Sequence, residues 1–144
     1  MEKYNFRLPE RILQLEACGI WPTEKSGMNA QDVEPITKEK LVKKIAPDEN
    51  YICFASIKNF YLLSEEFEHN QVMKEFGAVN EIDPKSCLII GDFGIGSDSY
   101  IVLDYSDNKL APSVKRLAWN KGGNTWEKLA SNVDEFFDIL DLRQ

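Results

Sequence analysis

Apolar residues at Leu8, Ile12, Leu15 and Cys18 recur at the three-to-four-residue spacing of one helix face. The spacing predicts a helix from Leu8 to Cys18, with Pro9 at its start, where a missing N–H is harmless, and Gly19 as its stop. From Trp21 to Pro35 neither period is sustained, so this stretch reads as an irregular connection. Thr37 is then placed to cap a short helix through Ile45, with Ile36 and Leu41 as a hydrophobic staple and Lys38, Lys40, Lys43 and Lys44 on its outer face. Short aromatic runs at Tyr51 to Ala55 and Phe60 to Leu63 read as strands. Ser64 is the expected cap of a third helix running to Phe76 and ended by Gly77.

Cys87-Leu88-Ile89-Ile90 is a continuous apolar run, the pattern of a central strand covered on both faces. The segment from Gly91 to Asp98 is a glycine-dense loop that leads into a strand from Tyr100 to Tyr105. Turns at Asp107-Asn108-Lys109 and Lys121-Gly122-Gly123-Asn124 bound two further strands, Val114 to Trp119 and Trp126 to Ala130, and complete a meander. The last segment reads as a helix with Ser131 as cap, Asp134 as its capping-box partner, and Val133, Phe136, Phe137 and Leu140 as the apolar stripe. The sum is an α+β fold, one domain over residues 1–144, with a mostly antiparallel sheet flanked by helices.

Composition narrows the function classes. Forty-three per cent hydrophobic residues suit a globular core rather than a disordered chain. Seventeen basic against twenty-four acidic residues give a net charge of −7, which repels nucleic-acid backbones and anionic lipid and favours a cationic protein partner. The N-terminal residues Met1 to Arg7 have no apolar stretch of the secretory kind, and no window is apolar enough to span a bilayer. Cys18, Cys53 and Cys87 are an odd number, far apart, and read as buried thiols in a reducing compartment. The expected location is the cytoplasm.

The candidate chemistry is thin. A phosphate cradle at Gly91 to Asp98 would need a following helix or a lysine, whereas a strand follows and Asp92 and Asp98 repel anions. Asp92, Asp98 and Asp104 do not match the spacing of a calcium loop. Asp104 lies between Leu103 and Tyr105 in an apolar strand, so it is expected to have a structural partner. His69, the only histidine, sits on a polar helical stretch with no nucleophile at a recognisable offset. No catalytic residue, cofactor or metal ligand is expected. Asp134, Asp138 and Asp141 fall at i, i+4 and i+7, an acidic ridge offered as a docking strip for a basic partner. Trp21, Trp119 and Trp126 are expected to anchor the core and its loops.

The ordered set Leu88-Ile89-Ile90-Gly91-Asp92-Phe93-Gly94-Ile95-Gly96-Ser97-Asp98, then Ile101-Val102-Leu103-Asp104-Tyr105, Pro112, Val114, Trp119, Trp126, Ala130 and the Phe136-Phe137 helix resembles the SUKH superfamily. The opening Leu8-Pro9 helix is similar to that family's N-terminal element, whereas Gly19-Ile20-Trp21-Pro22 stands where many members carry an Asn-Gly-Gly turn. The resemblance implies a non-catalytic protein-binding module. Bacterial members of this family neutralise a cognate toxin, often a nuclease or deaminase, by direct binding, and fungal members are regulatory scaffolds of cell-wall glucan synthesis. It also implies that Gly91, Asp92, Phe93, Gly94, Leu103, Asp104 and Tyr105 are structural positions, with Trp119 and Trp126 beside them. An immunity protein for a basic toxin domain is the first expectation, and a regulatory scaffold is the alternative.

Overall fold

The apolar run at Cys87 lies at the centre of a six-stranded antiparallel sheet. This is seen in a computed structural model, which describes residues 2–3, 6–23, 37–93 and 99–143. In chain order the elements are strands β1 (Glu2–Lys3) and β2 (Phe6–Arg7), helices α1 (Glu10–Ala17) and α2 (Glu39–Ile45), and strands β3 (Cys53–Phe54) and β4 (Tyr61–Leu62). Helices α3 (Leu63–His69) and α4 (Gln71–Phe76) follow, then strands β5 (Cys87–Asp92), β6 (Tyr100–Asp104), β7 (Ser113–Ala118) and β8 (Thr125–Ala130), and helix α5 (Val133–Ile139). The order across the sheet is β3-β5-β6-β7-β8, and β4 shares the outer edge of β5 with β3. A tight turn at Ile57–Asn59 lets the two short strands lie end to end along that edge.

Strand alternation divides the interior in two. Leu88, Ile90, Ile101, Leu103 and Val114 face a larger core closed by Ile12 and Leu15 of α1, Val42 of α2, and Val133, Phe136 and Phe137 of α5. Cys87, Ile89, Tyr100, Val102 and Leu117 face a smaller core closed by Leu63 and Phe67 of α3 and Met73 of α4. Every residue of β5 is buried, as a strand covered on both faces requires. Trp21 is the hub of the larger core. Its ring lies 4.6 Å from Phe54 and 5.6 Å edge-on from Phe137, and its Nε1–H donates to the Ala55 carbonyl at 2.9 Å. Gly91 is required by close approach rather than by φ, because a Cβ there would stand 2.5 Å from the Cys53 carbonyl oxygen.

Gly19 ends α1 as the sequence implies. At φ +86° its N–H reaches Glu16 O while Ile20 N–H reaches Leu15 O, the paired bonds of a Schellman stop. Other boundaries differ from expectation. Thr37 does not cap α2: Lys38 holds that position, and the buried Thr37 hydroxyl oxygen accepts the Ile52 N–H at 3.1 Å, tying the chain to the start of β3. Ile36 lies outside the described residues. The third helix is two, split at Asn70, whose side chain accepts the Met73 N–H and caps α4; Ser64 sits inside α3. Asn132 rather than Ser131 caps α5, accepting the Glu135 N–H at 2.8 Å, so Asp134 is not the capping partner. Cys53 and Cys87 are buried, but Cys18 is exposed one position past α1, off its apolar stripe.

Candidate functional site

Several described residues of the motif that carries the resemblance are used by the fold itself. Asp104 is buried on the smaller-core face, and its Oδ2 lies 2.6 Å from Lys115 Nζ while Oδ1 accepts the Ser106 N–H at 2.9 Å. Burial alone would raise its pKa, but the Lys115 and Ser106 hydrogen bonds outweigh that and hold it below the ordinary carboxylate range. Thus Asp104 has the structural partner its position demands. Burial and the Asp104 carboxylate push the adjacent Cys87 thiol up, which keeps it protonated and inert. Tyr105 stacks on Phe6 at 4.5 Å and donates to the Arg7 carbonyl at 3.0 Å, pinning β2 to the end of β6. Leu103 is core.

Phe93 lies beneath Arg116, whose guanidinium carbon stands 5.3 Å from the ring centroid. Arg116 is 6% exposed and grips Asp48 with two N–H groups, at 3.0 and 3.3 Å, while its Nε–H reaches Glu127 at 2.9 Å. The Arg116 hydrogen bond holds Asp48 below its usual range, whereas burial, with Asp48 nearby, raises the half-buried Glu49. This cluster fastens the α2–β3 connection to the sheet and leaves the guanidinium covered. Gly91 and Asp92 are buried in β5, whereas Gly94 and Asp98 lie outside the described residues. His69 is exposed at the end of α3. Among the described residues no group of His, Cys, Asp and Glu could hold a metal ion, and no helix is long and apolar enough to cross a membrane.

The acidic ridge changes character in three dimensions. Arg11 of α1 reaches Asp138 at 2.7 Å and Asp134 at 3.2 Å, and also donates to the Leu142 carbonyl at 3.0 Å. These carboxylates are mostly exposed and also tether α5 to α1. Asp141 is not on the helix. It follows α5 in a left-handed conformation at φ +56°, with its N–H on Asp138 O and the Leu142 N–H on Phe137 O. Its carboxylate accepts two bonds from Arg143, which lower its pKa. A left-handed aspartate is strained where glycine is not. Asp141→Gly is therefore expected to raise Tm by about 2 °C, read by calorimetry. An equal or lower Tm would show that the Arg143 pair outweighs the strain.

Two exposed aromatic rings meet elsewhere. Trp126 is half-buried, with its Nε1–H on the Gly77 carbonyl at 2.8 Å, an anchor as expected. Trp119 stands just past β7, 41% exposed, its ring 6.3 Å from that of Phe76, which is 50% exposed. Val72, one helical turn before Phe76 on α4, and Val79 are exposed beside them in the chain. The end of α4 is held by the β7–β8 hairpin, because Asn124 donates to the Phe76 carbonyl at 2.7 Å. A shallow cleft of about 360 Å³ runs between them, lined by Glu75, Phe76, Ala78, Lys121 and Asn124. No pattern in the sequence marked this patch, although Trp119, closing an apolar strand at a turn, was its one visible element.

Compared with protein-family models, curated proteins and solved structures, the chain matches none of them.

Proposed function

We propose that this chain is a non-catalytic protein-binding module of the immunity type, which neutralises a cationic toxin domain in the cytoplasm by binding it directly. The observation that carries the reading is the aromatic pair Phe76 and Trp119, kept at the surface with Val72 and Val79 in a domain that buries its other tryptophans wholly or in part. Exposed apolar side chains grouped on one rigid scaffold are what a protein interface uses for affinity. The net charge of −7 adds attraction for a basic partner such as a nuclease, whose own cleft must be positive to grip nucleic acid. The likeness of the Gly91 to Asp98 and Leu103-Asp104-Tyr105 segments to the SUKH superfamily supports the immunity role.

The test is to mix the protein with the toxin domain encoded beside it and follow both complex and activity. Co-elution at one to one on size exclusion, with loss of toxin activity, is expected. Raising salt from about 0.05 to 0.3 M should slow association severalfold, since steering between opposite charges is screened. Full toxin activity in the presence of an excess of this protein would overturn the proposal.

A further inference from the structure

The negative charge of the chain is gathered in two segments. Residues 63–86, which hold α3, α4 and the turns after them, carry six carboxylates (Glu65, Glu66, Glu68, Glu75, Glu81 and Asp83) against Lys74 and Lys85, a net −4 out of −7. Across the sheet, residues 131–144 carry Asp134, Glu135, Asp138 and Asp141 against Arg143, a net −3, but they adjoin α2 and its cap, where Lys38, Lys40, Lys43 and Lys44 stand against Glu39, and Asp134, Asp138 and Asp141 pair with Arg11 or Arg143. Because α3 and α4 close the smaller core and α2 and α5 the larger one, these two surfaces are on opposite faces. Both sides are net negative, but on the α3–α4 side few cations stand among the carboxylates, whereas the α2–α5 side mixes the two signs.

Val72, Phe76 and Val79 stand on that same acidic segment, with Trp119 against Phe76. Their backbone is fixed in advance. Asn124 and Trp126 hold the carbonyls of Phe76 and Gly77, Ala78 is left-handed at φ +49°, and the Glu81 carboxylate accepts the Trp126 N–H at 3.2 Å. A partner that docks here has little ordering of this segment to do.

We infer, building on the function proposed above, that α4, the turn after it and the β7–β8 turn form the docking face. Its occupant is a protein surface with an apolar centre ringed by lysine and arginine. The carboxylates along α5 take no part. The apolar centre supplies affinity by excluding water around Phe76 and Trp119, and the acidic surround draws in cationic surfaces and rejects anionic ones. Lys121 lines the cleft beside the patch, so a carboxylate of the partner, where it has one, has a defined place to fall.

The test selects random twelve-residue displayed peptides on the immobilised full-length protein and measures the winners by fluorescence anisotropy. Enriched peptides are expected to carry an aromatic or aliphatic residue flanked by Lys or Arg, and to slow amide exchange at 71–79 and 119–126. Phe76→Ala and Trp119→Ala should each weaken binding about tenfold. Glu68→Lys with Glu75→Lys should weaken it severalfold and flatten its salt dependence, whereas Asp134→Asn with Asp138→Asn should change it less than about twofold. Circular dichroism confirms that each variant is folded, and the exchange map of the unaltered protein is independent of the variants. Enrichment of acidic peptides, no enrichment, protection at α2 or α5, or indifference to Phe76 and Trp119 would each overturn the inference. If the toxin domain is still bound and inhibited in such a case, the proposed function stands and only the face is wrong. If peptides map to α4 and the toxin domain is ignored, the face stands and the function falls.

Discussion

Replacing Trp21 with Ala is expected to cost about 4 kcal/mol, enough to leave a domain of this size marginal or unfolded at 37 °C. Trp21 is 2% exposed and touches three phenylalanine rings drawn from distant parts of the chain: Phe54 on β3, Phe60 after the Ile57–Asn59 turn, and Phe137 on α5. Truncation removes the transfer energy of the ring and leaves a cavity that rigid neighbours on a sheet edge and a helix cannot collapse into. It also strips the buried Ala55 carbonyl of its donor. Trp21→Phe separates the two effects: it should recover most of the loss and leave a residue of about 1 kcal/mol for the missing N–H. Urea unfolding of the three proteins gives the comparison, and a loss below about 1.5 kcal/mol for the alanine variant would mean that the aromatic cluster does not organise the core.

Lys115→Met is the second large effect, expected at about 3 kcal/mol near neutral pH, because it leaves the Asp104 carboxylate, 3% exposed, without its ammonium partner. The pH dependence identifies the cause. In the unaltered protein Asp104 titrates below its unfolded value, so its contribution is complete above about pH 4 and is lost as pH falls through the lower folded value. In the variant only the Ser106 hydrogen bonds oppose burial, so the carboxyl is expected to titrate higher than in the unaltered protein. The penalty is then complete at neutral pH and relieved as acid protonates the folded state. The two stability curves should therefore converge toward pH 4, and Asp104→Asn in the Lys115→Met background should restore part of the loss. Parallel curves would mean that the cost comes from packing of the lysine stem and not from the stranded charge.

These two residues also show what the sequence could and could not reveal. The run at Cys87 to Ile90 is continuous, and only a strand covered on both sides fits it, so the central position of β5 was legible. Asp104 between apolar neighbours announced a partner without naming it, since Lys115 sits on an adjacent strand whose register is a tertiary matter. Caps were less legible because several Ser, Thr and Asn candidates flank each helix and the geometry of neighbouring chain chooses among them. Thus Thr37 was taken by Ile52, and Asn132 displaced Ser131. The break at Asn70 leaves one trace in the sequence: Leu63 and Phe67 share a helical face, but Met73 falls off it in any unbroken helix. The acidic ridge had correct periodicity for Asp134 and Asp138, yet Arg11 is more than a hundred residues away in sequence, and no local pattern shows that it neutralises them. Exposure of Phe76 and Trp119 depends on where the helices stop covering the sheet, which composition and spacing do not encode.

The proposed function is recognition without bond chemistry, and stoichiometry tests this most directly. The toxin domain is incubated with a tenth of an equivalent of this protein, its activity is followed for hours, and the two are then separated under denaturing conditions and the toxin refolded. A binder removes about a tenth of the activity and no more with time, leaves the toxin's mass unaltered, and gives back full activity on refolding. Progressive loss at this ratio, or a changed mass in the recovered toxin, would contradict the account and make the protein an enzyme acting on its partner.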